Sequence, residues 1–179
     1  MVVFSATEFQ NLHDLDTLKP EINRLSSDVF NNINITDTVG MVMNTGGYIG
    51  FLKKDNQIVA CGFGVNDNNK SSTKYNPMYI HNFGVHKDYR GQGLCQKIVS
   101  EFIKRFGKAH ILYLTVRTEL GNVNESAIRC YEKKGFIMLS EVYRDNYDGK
   151  NNAMIRLPTM SKNSIRTRRM RKTKKIKKK

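Results

Sequence analysis

The order of predicted elements indicates a mixed α/β fold. Three observations predict it: a two-strand hairpin, a glycine loop between a strand and an amphipathic helix, and a continuous apolar run. The hairpin joins residues 48–54 to residues 57–65, and the apolar run covers residues 111–116. A short apolar run of this kind suits a strand that is covered on both faces. We therefore expect a sheet flanked by helices rather than a helical bundle.

The N-terminal part of the chain is predicted to be mostly helical. We expect a short strand over residues 1–5 and helix over residues 7–31, because apolar residues recur at spacings of three and four from Leu12 to Val29. Pro20 interrupts this pattern and predicts two helices or a kink. The hairpin follows, with Asp55-Asn56 as its turn. A polar loop then leads to a strand over residues 78–86.

The remaining elements alternate between helix and strand. Helices are predicted over residues 96–106 and 124–134, and Gly135 is a suitable stop for the second one. Strands are predicted over residues 136–143 and 151–157, with a turn over residues 145–149 between them. One domain over residues 1–160 is expected, followed by a disordered basic tail over residues 161–179.

The loop between the strand at residues 78–86 and the next helix is a predicted anion site. Its end reads Arg90-Gly91-Gln92-Gly93-Leu94-Cys95. Glycines let a backbone approach a ligand closely, and a helix start presents unpaired N–H groups, so a diphosphate is a natural occupant. A Walker loop would need Lys-Ser/Thr after Gly93, and a dinucleotide fingerprint would need a third glycine at Gln96. Both alternatives fit poorly.

A third pattern, Arg-x-x-Gly-x-Gly/Ala after a strand that ends in Val, fits with one departure. It resembles the acetyl-coenzyme A (acetyl-CoA) loop of the GNAT superfamily of N-acetyltransferases, with the small residue Cys95 in place of the last Gly or Ala. A second segment, Asn-Glu-Ser-Ala-Ile-Arg-Cys-Tyr-Glu-Lys-Lys-Gly-Phe over residues 124–136, is similar to the GNAT pattern Asn-x-x-Ala-x-x-x-Tyr-Glu-Lys-x-Gly-Phe. The resemblance covers about residues 48–157.

The resemblance implies a fold and a cosubstrate. The fold is a mixed, mostly antiparallel central sheet flanked by helices, with a splayed strand pair that forms the acetyl-CoA cleft. N–H groups of residues 92–95 would cradle the diphosphate, and the main chain of residues 83–85 would pair with the pantetheine arm. The implied cofactor-binding residues are Phe83, Gly84, Val85, Arg90, Gly91, Gln92, Gly93, Leu94, Cys95, Asn124 and Tyr131.

The implied chemistry is acetyl transfer to a primary amine of a small molecule or a protein, by direct attack in a ternary complex. Tyr131 would donate a proton to the departing thiolate, since a phenol with a pKa of about 10 is close enough to a thiol at about 8.5. The amine must first lose a proton. His81 stands where family members often have Glu and is the first candidate base, with Glu119 the second.

The charge of the chain is concentrated at its end. The net charge is +14, yet residues 162–179 hold 11 Lys or Arg and no acid, which leaves 19 bases against 16 acids elsewhere. Such a tail stays extended. Three interpretations of the tail remain open: a nuclear address, a nucleic-acid tether or a solubilising tail. The first two would act through attraction to polyanions. Without aromatic residues in the tail, base stacking is not expected.

Other features bound the location and the partners. Three cysteines at wide spacing predict neither a disulfide framework nor a zinc site, and fit a reducing interior. We find neither a leader-like start nor an 18-residue apolar run, so we expect an intracellular protein, cytoplasmic or nuclear, with no membrane span. The alternative function is a non-catalytic domain of this fold, tethered to nucleic acid by its tail.

Overall fold

The computed structural model describes residues 4–11, 16–29, 46–66, 76–119, 122–144 and 150–158. Within these residues lie eight strands and three α-helices. The strands are β1 (Glu8–Asn11), β2 (Gly47–Lys54), β3 (Gln57–Asn66), β4 (Asn76–Val85), β5 (His110–Glu119), β6 (Asn122–Val123), β7 (Ile137–Arg144) and β8 (Lys150–Arg156). The helices are α1 (Lys19–Val29), α2 (Leu94–Phe106) and α3 (Glu125–Glu132).

Seven strands form one sheet in the order β1-β2-β3-β4-β5-β8-β7, and the short β6 pairs with β5. The β4–β5 pair is parallel, and the other neighbours are antiparallel. The prediction of a mixed, mostly antiparallel sheet flanked by helices is confirmed. The predicted turn over residues 145–149 and the predicted tail over residues 161–179 lie outside the described residues.

The N-terminal segment differs from its prediction. Residues 8–11, expected to be helical, form β1, which pairs with β2 from Glu8↔Phe51 to Asn11↔Tyr48. The apolar periodicity begins only at Leu12, so it never covered this strand. Phe4 and Ser5 lie in irregular chain rather than in the expected short strand, and Ser5 N–H donates to the Lys53 carbonyl at 2.9 Å.

Pro20 begins a helix instead of interrupting one. It is the second residue of α1, where its missing N–H removes no hydrogen bond, because the first N–H groups of a helix have no partner within it. Within the described residues, the prediction of two helices or a kink at Pro20 is therefore wrong. Ile22 and Leu25 of α1 are buried against one face of the sheet.

The sheet has a separate apolar cluster on each face. On one face, α2 and α3 pack against the middle strands. On the other, α1 covers residues of β2 and β3 such as Ile49, Phe51 and Phe63. None of the helices in the described part of the chain is long and apolar enough to cross a bilayer.

Three glycines let aromatic rings lie directly on the sheet beneath α2. A Cβ on Gly50 or Gly64 would overlap the ring of Phe102, and one on Gly62 would overlap the ring of Phe83. Glycine inside a strand often marks such a close approach, and this is what Gly62 and Gly64 allow here. Phe102 is fully buried as a result and lies edge-on to Phe83, with 5.6 Å between ring centroids.

Candidate active site

A cleft opens where β4 and β5 separate. The two strands pair only from Asn76↔His110 to Tyr79↔Tyr113. At the point of separation the Tyr79 and Thr115 hydroxyl groups are hydrogen-bonded at 2.8 Å. Beyond it, the rest of β4 pairs with β3 alone and the rest of β5 pairs with β8 and β6. The predicted splayed strand pair is present, and it leaves main-chain groups along both inner edges available to a ligand.

A bulge in β4 sets the geometry of the cleft wall. Asn82 has a φ of 50°, which is uncommon for a residue other than glycine, and the register with β3 shifts between Cys61 and Phe63. Alternate strand residues normally share a face. Here His81 contacts Phe63 on the α1 face, while Phe83 packs with Phe102 on the α2 face. The bulge therefore reverses which side chains of β4 face α1 and which face α2 before the strand reaches the glycine loop.

The glycine loop and the start of α2 form an open surface with unpaired N–H groups. Gly91 and Gly93 have φ values of 77° and 74°. None of the described residues lies within 4 Å of where a Cβ on either glycine would stand. Gly93 is the N-cap of α2 and has no side chain to occupy the free N–H groups of Leu94 and Cys95. These N–H groups and the positive end of the helix dipole can bind a phosphate.

Arg90 holds the loop to the end of the cleft strand. Its Nε donates to the Val85 carbonyl at 3.2 Å, and a short 3₁₀ turn over Lys87–Tyr89 fills the space between them. The His86 N–H donates to the Val59 carbonyl at 2.9 Å, which fixes the start of the turn to β3. The remaining guanidinium nitrogens of Arg90 are on an exposed side chain beside the loop.

Asn124 caps α3 rather than lying within it. Its Oδ1 accepts from the Ala127 N–H at 3.1 Å and from the Ser126 hydroxyl at 3.0 Å. The predicted helix began at residue 124, but the helix in the structure begins at Glu125. Asn and Asp are preferred caps because their side-chain oxygen accepts from the first turn. The NH₂ group of Asn124 is therefore the part of its amide that is left for a ligand.

Tyr131 lies between the cleft and the start of α2. Its ring is 7% exposed and meets Phe83 of β4 edge-on, with 6.0 Å between centroids. Burial raises the pKa of Tyr131 well above its ordinary value. The nearby Cys95, Cys130 and Tyr79 groups raise that pKa further. The phenol therefore keeps its proton near neutral pH and can donate a hydrogen bond.

His81 lies in an aromatic slot on the opposite face of β4. Its ring stacks on Tyr79 at 4.9 Å and 8°, and Phe63 lies on its other side at 5.7 Å. Burial lowers the pKa of His81 to about 4, opposed by a hydrogen bond with the Asn82 side chain. Nε2 is buried and has no hydrogen-bond partner among the described residues. His81 is thus neutral at pH 7, free to accept a proton but weakly basic.

For Glu119, the second base candidate, the structure describes only the backbone. Glu119 ends β5, and its main chain pairs with Asn122 of β6. The side chain of Glu119 lies outside the described part of the structure. Sequence reasoning missed Asn82 and Tyr79, which shape the cleft. A non-glycine residue with positive φ in a strand gives no reliable signal in a single sequence, and Tyr79 looked like an ordinary strand residue.

The fold and the site together define a class of protein: an α/β domain whose split sheet lies beside an anion-binding helix start. The family follows from comparison. The acetyltransferase (GNAT) family matches residues 9–136, and the chain belongs to this family. The resemblance drawn from the two sequence motifs is confirmed. Among curated protein sequences, none matches this chain.

Solved structures share the fold at low sequence identity. The ribosomal-protein-S18-alanine N-acetyltransferase from Escherichia coli is 20% identical with a TM-score of 0.64, covering 90% of this chain and 96% of its own. Arabidopsis thaliana Naa50, in complex with the bisubstrate analogue CoA-Ac-MVNAL, is 19% identical with a TM-score of 0.62, covering 84% and 97%. The protein yncA from Salmonella typhimurium, with its cofactor acetyl-CoA, is 14% identical with a TM-score of 0.59, covering 88% and 97%.

Proposed function

We propose that this protein transfers an acetyl group from acetyl-CoA to a primary amine of a small molecule or a protein. The observation that carries the proposal is the open start of α2 behind Gly91 and Gly93, placed at the end of the strand that lines the cleft. The bound acetyl-CoA of yncA and the CoA-containing analogue on Naa50 support the same cosubstrate here.

The coenzyme would lie across the loop and along β4. The diphosphate would be bound by the N–H groups of Gln92, Gly93, Leu94 and Cys95. Gly93 has no Cβ, so the backbone of the loop can approach the diphosphate closely. The main chain of residues 83–85 would bind the pantetheine arm, because the inner edge of β4 is unpaired beyond Tyr79. The NH₂ group of Asn124 would donate to the same arm or to an ordered water.

The chemical step would be direct attack in a ternary complex. The amine nitrogen attacks the thioester carbonyl, the carbon–sulfur bond breaks, and the departing thiolate needs a proton. Tyr131 would donate a hydrogen bond to that sulfur. Its raised pKa means that the phenol keeps its proton near neutral pH and has a hydrogen bond to donate.

The acceptor amine must lose a proton before it attacks. His81 would accept that proton through a water, because its Nε2 is buried and its lowered pKa makes it a weak base on its own. Glu119 is the second candidate. His81→Gln and Glu119→Gln separate the two, since the variant that removes the base should change the acidic limb of the kcat/KM pH profile.

The test of the function is acetyl-CoA-dependent release of coenzyme A thiol in a screen of primary amines and peptide N-termini. Tyr131→Phe should lower kcat about 100-fold while leaving the KM for acetyl-CoA nearly unchanged, because only the transition state gains from a proton donor. Tyr48→Phe is the matched control, since the Tyr48 ring packs on Phe106 away from the cleft. A wild-type protein that neither binds acetyl-CoA nor releases thiol would remove the enzyme proposal.

We further propose that residues 162–179 bind a polyanion such as nucleic acid. The support is the run of 11 bases without an acid. Binding of this kind is electrostatic and should weaken steeply with salt. It would make the tail an accessory to the acetyltransferase domain.

A further inference from the structure

Two cysteines from different helices meet beside the proposed coenzyme site. Cys95 lies in the first turn of α2 and Cys130 in α3, and their sulfur atoms are 3.2 Å apart. Both are free thiols. A disulfide bond needs about 2.0 Å between sulfurs. Joining them requires an approach of about 1 Å, shared between the side chains and the two helices that carry them.

The two thiols are unequal, which favours reaction between them. A hydrogen bond from Cys95 lowers the pKa of Cys130, and the Lys134 and Lys133 charges lower that pKa further, against the effect of burial. The same hydrogen bond raises the pKa of Cys95, and burial adds to the effect. Cys130 is thus the thiol of the pair that loses its proton more readily. A thiolate is the form of cysteine that attacks an oxidant.

The third cysteine provides an internal comparison. Cys61 is 1% exposed in β3, where burial raises its pKa to about 12. Cys130 is 8% exposed and Cys95 is half-buried. Two cysteines of the chain are therefore in contact, and one of them has a lowered pKa, while the third is shielded and has a raised pKa.

We propose that Cys95 and Cys130 form an oxidation site that closes to a disulfide under a peroxide and thereby weakens coenzyme binding. The Cys130 thiolate attacks one oxygen of hydrogen peroxide and becomes a sulfenic acid, releasing hydroxide. Cys95 sulfur then attacks the Cys130 sulfur, the Cys95 proton passes to the sulfenic oxygen, and that oxygen leaves as water. In sum two thiols and one peroxide give one disulfide and two waters, so the two electrons lost by sulfur reduce the peroxide.

The consequence for the coenzyme rests on the proposed function. The Cys95 N–H is one of the proposed diphosphate donors, and Cys130 immediately precedes Tyr131. Closing the bridge pulls the first turn of α2 toward α3, in a site where misplacement by about 1 Å is costly. Desulfo-coenzyme A, which has the diphosphate but no thiol, is a suitable probe, since it cannot itself exchange with cysteines. We expect the oxidised protein to bind it about tenfold more weakly, or worse.

The bridge is tested by treating the full-length protein with hydrogen peroxide and mapping its cysteines by mass spectrometry. The expected result is the loss of two hydrogen atoms, a peptide pair joining Cys95 to Cys130, and an unmodified Cys61. A sulfinic acid on Cys130 with Cys95 free, or a bridge that includes Cys61, would overturn the proposal. Because the wild-type chain is used, this result does not depend on the folding of a variant.

The coupling is tested by titrating desulfo-coenzyme A into reduced and oxidised protein. Cys130→Ser, treated identically, should show no response to peroxide. Linkage requires that the probe also stabilise the reduced pair, raising its reduction potential in a glutathione buffer by about 30 mV for each factor of ten in affinity. A bridge that forms without changing the affinity would refute the coupling. If the reduced protein does not bind the probe while the bridge forms, the proposed function fails and the oxidation site stands.

Discussion

The two halves of β4 differ in what their main chains contact. From Asn76 to Tyr79 the strand pairs with β5, and at Met78 and Tyr79 it also pairs with β3, as an interior strand of a sheet does. From Ile80 to Val85 it has β3 alone, and the bulge at Asn82 turns its side chains over. The comparison shows how one strand can both hold a sheet together and offer hydrogen bonds to a ligand. The strand does both because it separates from β5 halfway along its length.

The largest effect should come from closing the anion site at the end of the second half. Gly93→Glu adds bulk and a negative charge where the diphosphate would lie, and it forces a side chain onto a positive φ. We expect acetyl-CoA affinity to fall at least about 100-fold by calorimetry. Gly135→Ala also places a side chain at a positive φ, of 82°, but at the end of α3. If both variants lost affinity equally, backbone strain rather than diphosphate binding would explain the loss.

A pair of glycine variants tests whether the two halves of β4 have different functions. Gly62→Ala would press on Phe83 in the cleft half, whereas Gly64→Ala would press on Phe102 and on Met78 in the interior half. Both should lower the free energy of unfolding by about 1–3 kcal/mol through overpacking. Only Gly62→Ala should also weaken acetyl-CoA binding, measured on protein that is still folded. Equal effects on binding would mean that the halves are not functionally distinct.

His81, at the start of the second half, predicts a pH dependence of stability. Its folded pKa of about 4 lies below the ordinary value of 6.5, so the unfolded chain binds the extra proton between these values. Above pH 6.5, His81 does not lower the free energy of unfolding. As the pH falls from 6.5 toward 4, proton binding by the unfolded chain lowers the free energy of unfolding, on the order of 3 kcal/mol in all. Urea unfolding at pH 7, 5.5 and 4.5 measures it. In His81→Gln this part of the pH dependence should vanish; an unchanged slope would assign it to other groups.

The smallest effect on the cleft should come from removing the basic tail. Deletion of residues 162–179 should leave kcat/KM for a small amine within about twofold. Binding to RNA or DNA, followed by fluorescence anisotropy at low and high salt, should fall to background. Nucleic-acid binding that survives the deletion would locate the contact within the domain instead.

The parts of the fold that the sequence predicted are those with local signals. Gly91 and Gly93 between a strand and a helix identified the loop, and the apolar stripe of α2 identified the helix that follows. The Asn124–Tyr131 segment was found by its residues, although its first member proved to be a cap. Here a local rule, the preference of Asn for caps, was the better guide to geometry than helical periodicity.

The parts that escaped prediction depend on pairing between distant residues. β1 forms because β2 offers an edge, and nothing in residues 8–11 alone predicts a strand. The bulge at Asn82 exists only in register with Cys61 and Phe63, and the Cys95–Cys130 contact needs α2 and α3 to be placed first. Whether His81 or Glu119 is the base likewise depends on the position of an acceptor.

The place of β8 in the sheet has a consequence for how the chain is made. This strand, the last one described, lies between β5 and β7, which precede it in sequence. During synthesis, β5 and β7 must wait without their shared neighbour until residues 150–156 have left the ribosome. Until then Ile137 and Met138 of β7, which stay partly exposed even in the finished sheet, have no pairing partner in β8. The nascent protein is therefore most open to association with other chains in the interval between the synthesis of β7 and the pairing of β8.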